Sequence, residues 1–110
     1  MANWSITELT DEILEQMQVK AAGQAARAED ANKVSRAIAA SIDYLRGINL
    51  APFEYNSIPE WATSALRDYV IADIGPAFGI TGYSKKLAKE ELRAQCGRYG
   101  PPIRVKAKYY

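Results

Sequence analysis

Apolar residues recur at three- and four-residue steps over four stretches of the chain, a period that marks α-helix. Ile6, Leu9, Ile13 and Met17 form the first stripe, with Leu14 beside them and Asp11, Glu12 and Glu15 on the wet face. Ser5-Ile6-Thr7-Glu8 has capping-box spacing, and Trp4 and Leu9 stand at hydrophobic-staple positions. Gly23 is placed to close this helix or open the turn after it. The second stripe is Ala31, Val34, Ile38, Ile42 and Leu45, with Glu29 and Asp30 in the first turn and Arg46 in the last, both favourable to the helix dipole. Gly47 is its predicted stop. Ser57-Ile58-Pro59-Glu60 repeats the capping-box spacing ahead of a wide third face, Trp61, Ala62, Ala65, Leu66, Tyr69, Val70 and Ile74. Gly75-Pro76 ends or kinks that helix. A fourth helix is predicted from about Ser84 to Cys96, with Leu87, Ala88 and Leu92 inward, Cys96 a further candidate, and Gly97 as its stop.

Two stretches break the helical period. Residues 48–57 read as a connector, yet Ile48, Leu50, Phe53 and Tyr55 make it too apolar to face water throughout. It is expected to be pinned against the helices or a neighbouring subunit. After Gly100-Pro101-Pro102, residues Ile103 to Tyr109 alternate apolar and basic, a strand period. One strand cannot stand alone and no other convincing strand exists in the chain. The tail is therefore disordered, extended on a surface, or added to a sheet elsewhere. The predicted fold is all-α: a small four-helix domain over residues 1–97 and an extended basic C-terminal tail over 98–110, able to pair as a single strand with a partner.

A length of 110 residues fits one domain, and 48% apolar with 25% charged residues is ordinary for a globular protein. No apolar run is long enough to span a bilayer, so no membrane partner is expected. Met1-Ala2-Asn3-Trp4 lacks the features of a secretory leader. Cys96 is the single cysteine, which fits a reducing compartment. The absence of histidine removes the Ser-His-Asp triad, the Cys-His pair and every His metal ligand.

The net charge of +1 conceals a split. Residues 1–84 carry six basic against eleven acidic side chains, net −5, and residues 85–110 carry eight against two, net +6. Such a basic end suits an acidic partner or nucleic acid. Paired carboxylates such as Glu8/Asp11 and Glu90/Glu91 read as solvated helix faces, and Gly75, Gly79 and Gly82 match no phosphate-binding loop. Cys96, with Lys85, Lys89 and Arg93 within three turns, reads as a buried filler in preference to a reactive thiol. No catalytic, cofactor or metal-binding residue is assigned, and the chain is not expected to be an enzyme. Lys85, Lys86, Lys89 and Arg93, with Tyr99, Tyr109 and Tyr110 interleaved in the tail, keep a second reading open: a small helical DNA-binding or regulatory protein.

Ile58-Pro59-Glu60-Trp61, then Ala65-Leu66, then Val70-Ile71-Ala72-Asp73-Ile74-Gly75-Pro76-Ala77-Phe78-Gly79 resemble the third-helix region of the head-to-tail adaptor proteins of tailed bacteriophages, also called head-completion, connector or packaged-DNA-stabilisation proteins. The family pattern there is Ala-Leu, Ala, then Leu-Ala-Pro-x-Phe/Tyr-Gly. Pro59, Trp61, Ala65, Leu66, Ala72, Ile74, Pro76, Phe78 and Gly79 carry the match, and Gly75 stands where the family more often has Ala. The resemblance is specific over residues 58–79 and extends in organisation over 5–96. It implies a subunit of a ring, twelve copies in the family, beneath the portal at the capsid vertex of the virion, assembled in the host cytoplasm. Such a ring continues the DNA channel, retains packaged DNA without sequence-specific contact and docks a downstream tail or neck protein. The acidic faces of the first two helices are then candidates for the lumen. Because family members reach the portal through terminal extensions, the resemblance assigns Arg98, Tyr99, Ile103, Arg104, Val105, Lys106, Lys108, Tyr109 and Tyr110 to contact with the portal or a neighbouring subunit.

Overall fold

The computed structural model describes residues 3–19 and 27–99. Four helices run through them: α1 (Ile6–Gln16), α2 (Ala28–Gly47), α3 (Glu60–Ile74) and α4 (Lys85–Tyr99). A 3-10 turn (Gly75–Phe78) extends α3. The domain is all-α, as the periodicity requires, and extended pairing among the described residues is confined to the isolated bridges Trp4–Ile58 and Glu54–Ser57. Helices α1, α2 and α3 pack on one another, whereas the backbone of α4 meets that of α3 alone. Lys85, the first residue of α4, pairs with Asp73 in the last turn of α3 at 2.8 Å. The two helices therefore run antiparallel.

The predicted stripes are the core. Leu9, Ile13 and Leu14 from α1 meet Val34, Ile38, Ile42 and Leu45 from α2 and Ala62, Leu66 and Val70 from α3, all fully buried. Leu92 and Ala88 carry α4 onto the far side of α3. The capping box of α1 forms as expected: Glu8 N–H donates to Ser5 Oγ at 3.2 Å and Ser5 N–H to Glu8 Oε1 at 2.9 Å. Trp4 is partly buried against the core above it.

The connector turns back into the domain. Leu50 and Ala51 are buried, Phe53 and Tyr55 lie partly buried against the core, and Phe53 meets Trp61 edge-on at 6.1 Å. Tyr55 donates its hydroxyl proton to Asp43, and the Arg46 guanidinium donates to the Phe53 carbonyl. Ile48 is the exception to the pinned connector, at 38% exposed.

Several expected boundaries move. The second capping box does not form: Pro59 is the N-cap of α3, and Ser57 instead accepts a hydrogen bond from Asn3 at 2.8 Å. The reason is that Ile58 exchanges backbone hydrogen bonds with Trp4, which keeps this stretch extended up to Pro59. Gly47 is the last residue of α2, at the expected stop, but it is not left-handed and no atom crowds the place of its Cβ. The left-handed residue is Asn49 (φ 64°), a type that tolerates this conformation. Gly97 does not end α4. The helix continues to Tyr99, so Arg98 and Tyr99, assigned to the tail, are its last residues. Leu87 is 65% exposed because Ala88, Leu92 and Cys96 set the buried line and Leu87 lies about 100° round from it. Gly23 and the alternating stretch Ile103–Tyr109 lie outside the described residues.

Three turns close in one way. After α1, Val19 N–H reaches the Leu14 carbonyl and Gln18 N–H that of Glu15. After α2, Leu50 and Asn49 reach Leu45 and Arg46, and after the 3-10 turn Ile80 and Gly79 reach Gly75 and Pro76. Each is a Schellman closure with its middle residue left-handed: Gln18 at φ 62°, Asn49 at 64° and Gly79 at 78°. Gln18 has no intrinsic ease there. A left-handed residue with a Cβ costs about 1–2 kcal/mol, and glycine's extra chain entropy returns about 0.5–1 of that. Gln18→Gly should therefore stabilise the domain by about 0.5–1 kcal/mol in urea unfolding. Gly75 is the opposite case. A Cβ there would stand 3.1 Å from the Ile80 carbonyl oxygen and 3.3 Å from Ile71 Cγ2. Gly75→Ala should lower stability by about 1–3 kcal/mol, although alanine in place of a helical glycine ordinarily raises it.

Candidate functional site

The residues of the α3 motif do not form one site. Pro59 and Trp61 stand at the start of the helix, Ala65 and Leu66 are buried in its middle, and Ala72, Pro76, Phe78 and Gly79 lie at its far end. Fifteen helical residues separate the ends by about 22 Å. The motif shapes the chain. Pro76 is the second residue of the 3-10 turn, Gly79 supplies its left-handed close, and Phe78 packs against the core beneath the Lys33 ammonium at 5.3 Å. Tyr83, in the loop that follows, accepts a hydrogen bond from Gln16 at 3.2 Å, which ties this loop to the end of α1. Of the tail residues singled out, Arg98 and Tyr99 are exposed at the end of α4, with the guanidinium 5.9 Å from the ring. Ile103, Arg104, Val105, Lys106, Lys108, Tyr109 and Tyr110 lie outside the described residues.

Surface depressions offer further candidates. One, of about 460 Å3, is walled by Pro52, Phe53, Pro59 and Trp61, with Arg46, Glu54 and Asn3 at its edge. Another, of about 370 Å3, is a furrow over α3 between α2 and α4. Ala40, Ser41 and Tyr44 form one wall, Lys85 and Lys89 the other, and Tyr69 and Asp73 the floor. Tyr44 and Tyr69 stack with centroids 6.4 Å apart. Lys89 lies 5.6 Å over the Tyr44 ring, and Lys85 lies 5.6 Å over Tyr69. Side chains alone thus bridge α2 and α4. The pattern of apolar spacing gave no sign of this furrow, because Tyr44 stands outside the buried stripe of α2.

The basic face of α4 is unevenly engaged. Lys85 is held by Asp73, whereas among the described residues Lys86, Lys89 and Arg93 form no ion pair. Cys96 is buried, and burial pushes its thiol up, against any shift toward thiolate by the nearby cations. Among the described residues no cluster of Asp, Glu and Cys converges as a metal site, and no helix is long and apolar enough to cross a membrane. No family model, curated protein or solved structure matches the chain.

Lys85 is raised above its ordinary 10.5 by its hydrogen bond to Asp73, and Tyr69 above 10.0 chiefly by burial. The folded state thus prefers the ammonium and the neutral phenol, the forms present below about pH 10 in the unfolded chain as well. Their contribution is complete there and is lost as pH rises through the raised values. Thermal melts should show a steep alkaline loss beginning near pH 10 that is shallower in Asp73→Asn. At pH 7 that variant should cost no more than about 1 kcal/mol, because both side chains are more than 40% exposed.

Proposed function

We propose that the chain is a structural, non-enzymatic head-to-tail adaptor of a tailed phage. It forms a ring, of twelve copies by the family pattern, beneath the portal. The ring extends the DNA channel, holds packaged DNA without reading its sequence and presents a surface to the next neck or tail protein. The observation that carries this reading is the run Asp73-Ile74-Gly75-Pro76-Ala77-Phe78-Gly79: it folds as a single closed helix break that delivers the chain from α3 into a lysine-rich α4. The charge split supports it, since an acidic helical body leaves docking to the basic end. In this reading α4 hands the chain to residues 100–110, whose alternating stretch pairs along a sheet edge or groove of the portal, with Arg104, Lys106 and Lys108 on acidic residues.

Lys86, Lys89 and Arg93 keep the nucleic-acid reading alive, and one comparison separates the two. On mixing with the portal of the same phage, the full chain should give rings visible by electron microscopy. A chain ending at Tyr99, which keeps α4 whole, should lose portal binding with its helical circular dichroism unchanged. Unchanged binding by the shortened chain overturns the docking assignment. Absence of rings, together with duplex DNA binding that weakens steeply with salt, overturns the adaptor.

A further inference from the structure

We propose that the chain associates with a second copy head to tail, the carboxylate row of α1 lying along the cationic row of α4. The rows match in spacing. Glu8, Asp11 and Glu15 stand at successive steps of three and four along α1, and Lys86, Lys89 and Arg93 at the same steps along α4. Each trio therefore lines one helix face over about 10 Å. Helix α1 carries four acidic and no basic side chains, and α4 carries five basic and two acidic.

The rows cannot meet within one chain, because α1 and α4 lie apart, each packed on α3. The contact therefore joins two copies, and where the two rows of one chain engage different neighbours it builds rings or filaments in place of a closed two-fold dimer. Charge rows on a surface are worth little alone, but each has an aromatic neighbour. Trp4 shares a depression of about 250 Å3 with Glu8, Asp11, Glu12 and Glu15. Tyr44, half exposed, lies under Lys89. Each row also has a charge of the opposite sign beside it. Arg67 holds Glu12 at 3.4 Å amid the acidic row, and Glu90 interrupts the basic one. Glu8 commits one oxygen to the Ser5 amide and Asp11 is exposed, so carboxylate oxygens remain for a partner.

This inference rests on the ring reading for the number of copies, and names the surfaces that join them. Asp11 and Lys89 are central in their trios and meet whichever way the helices run. The chain carrying both Asp11→Cys and Lys89→Cys, with and without portal, should on mild oxidation give a ladder of disulfide-linked multimers. Either single variant should stop at background dimer. Cys96 is buried and adds no cross-link. Raising salt well beyond the point where the screening length falls to a few ångströms should suppress the ladder. So should adding Lys86→Glu and Arg93→Glu, with helical circular dichroism unchanged. No ladder above the single-variant background overturns the interface, and so does a ladder indifferent to salt and charge reversal. Portal rings without the cross-link refute this interface alone. A salt-sensitive ladder from a chain that ignores the portal refutes the adaptor alone.

Discussion

Helix α3 is the one element that every other helix needs. It packs on α1 and α2 along one side and carries α4 on another, so its apolar surface wraps most of the way round. That demand explains its composition. Ala62 and Ala65 are buried with almost no side-chain volume, while Leu66, Val70 and Ile71 fill the space between neighbours. A helix apolar on several faces belongs in the middle of a domain, and a strongly one-sided helix such as α1 belongs at its edge. Pro59 and Trp61 stand at its start, and Gly75, Pro76, Phe78 and Gly79 at its end.

The ends of the helices repeat a single solution. Three times the chain finishes a turn by pointing two amides back at carbonyls that the helix leaves unpaired, and three times an apolar residue follows into the domain. Leu50 after α2 is the clearest instance, since it is buried beside the Leu45 whose carbonyl it caps. The closure thus steers the connector inward, where an apolar loop would otherwise meet water. The N-terminus completes that end of the domain through the exchanged hydrogen bonds of Trp4 and Ile58.

Most of the helical core could be read from the chain because Ile13, Val34, Ile38, Leu66 and Leu92 obey a period that one face of a helix must obey. The stops were partly legible. Gly47 is the last residue of α2, but the turn that closes it is made by a left-handed asparagine two residues on, which spacing alone does not mark. Gly97 looks like a terminator too, yet α4 runs through it and nothing there demands a bare Cα. Ser57 is a plausible cap until Asn3, more than fifty residues away, takes its hydroxyl. The furrow was invisible for the same reason: stacking of Tyr44 on Tyr69 is a contact between helices, and periodicity describes one helix at a time.

The attachment of α4 to one helix has a consequence for how the domain opens. Ala88, Leu92 and Cys96 seat α4 on α3 along a long seam, and no other helix backbone among the described residues meets it. Exchange of its amides with solvent through a partial opening would therefore report the strength of that one seam, separately from the α1–α2 pair. The loop that leads into α4 holds left-handed glycines at 79 and 82, yet the Gly79 closure and the Tyr83–Gln16 hydrogen bond tie it to the rest of the domain.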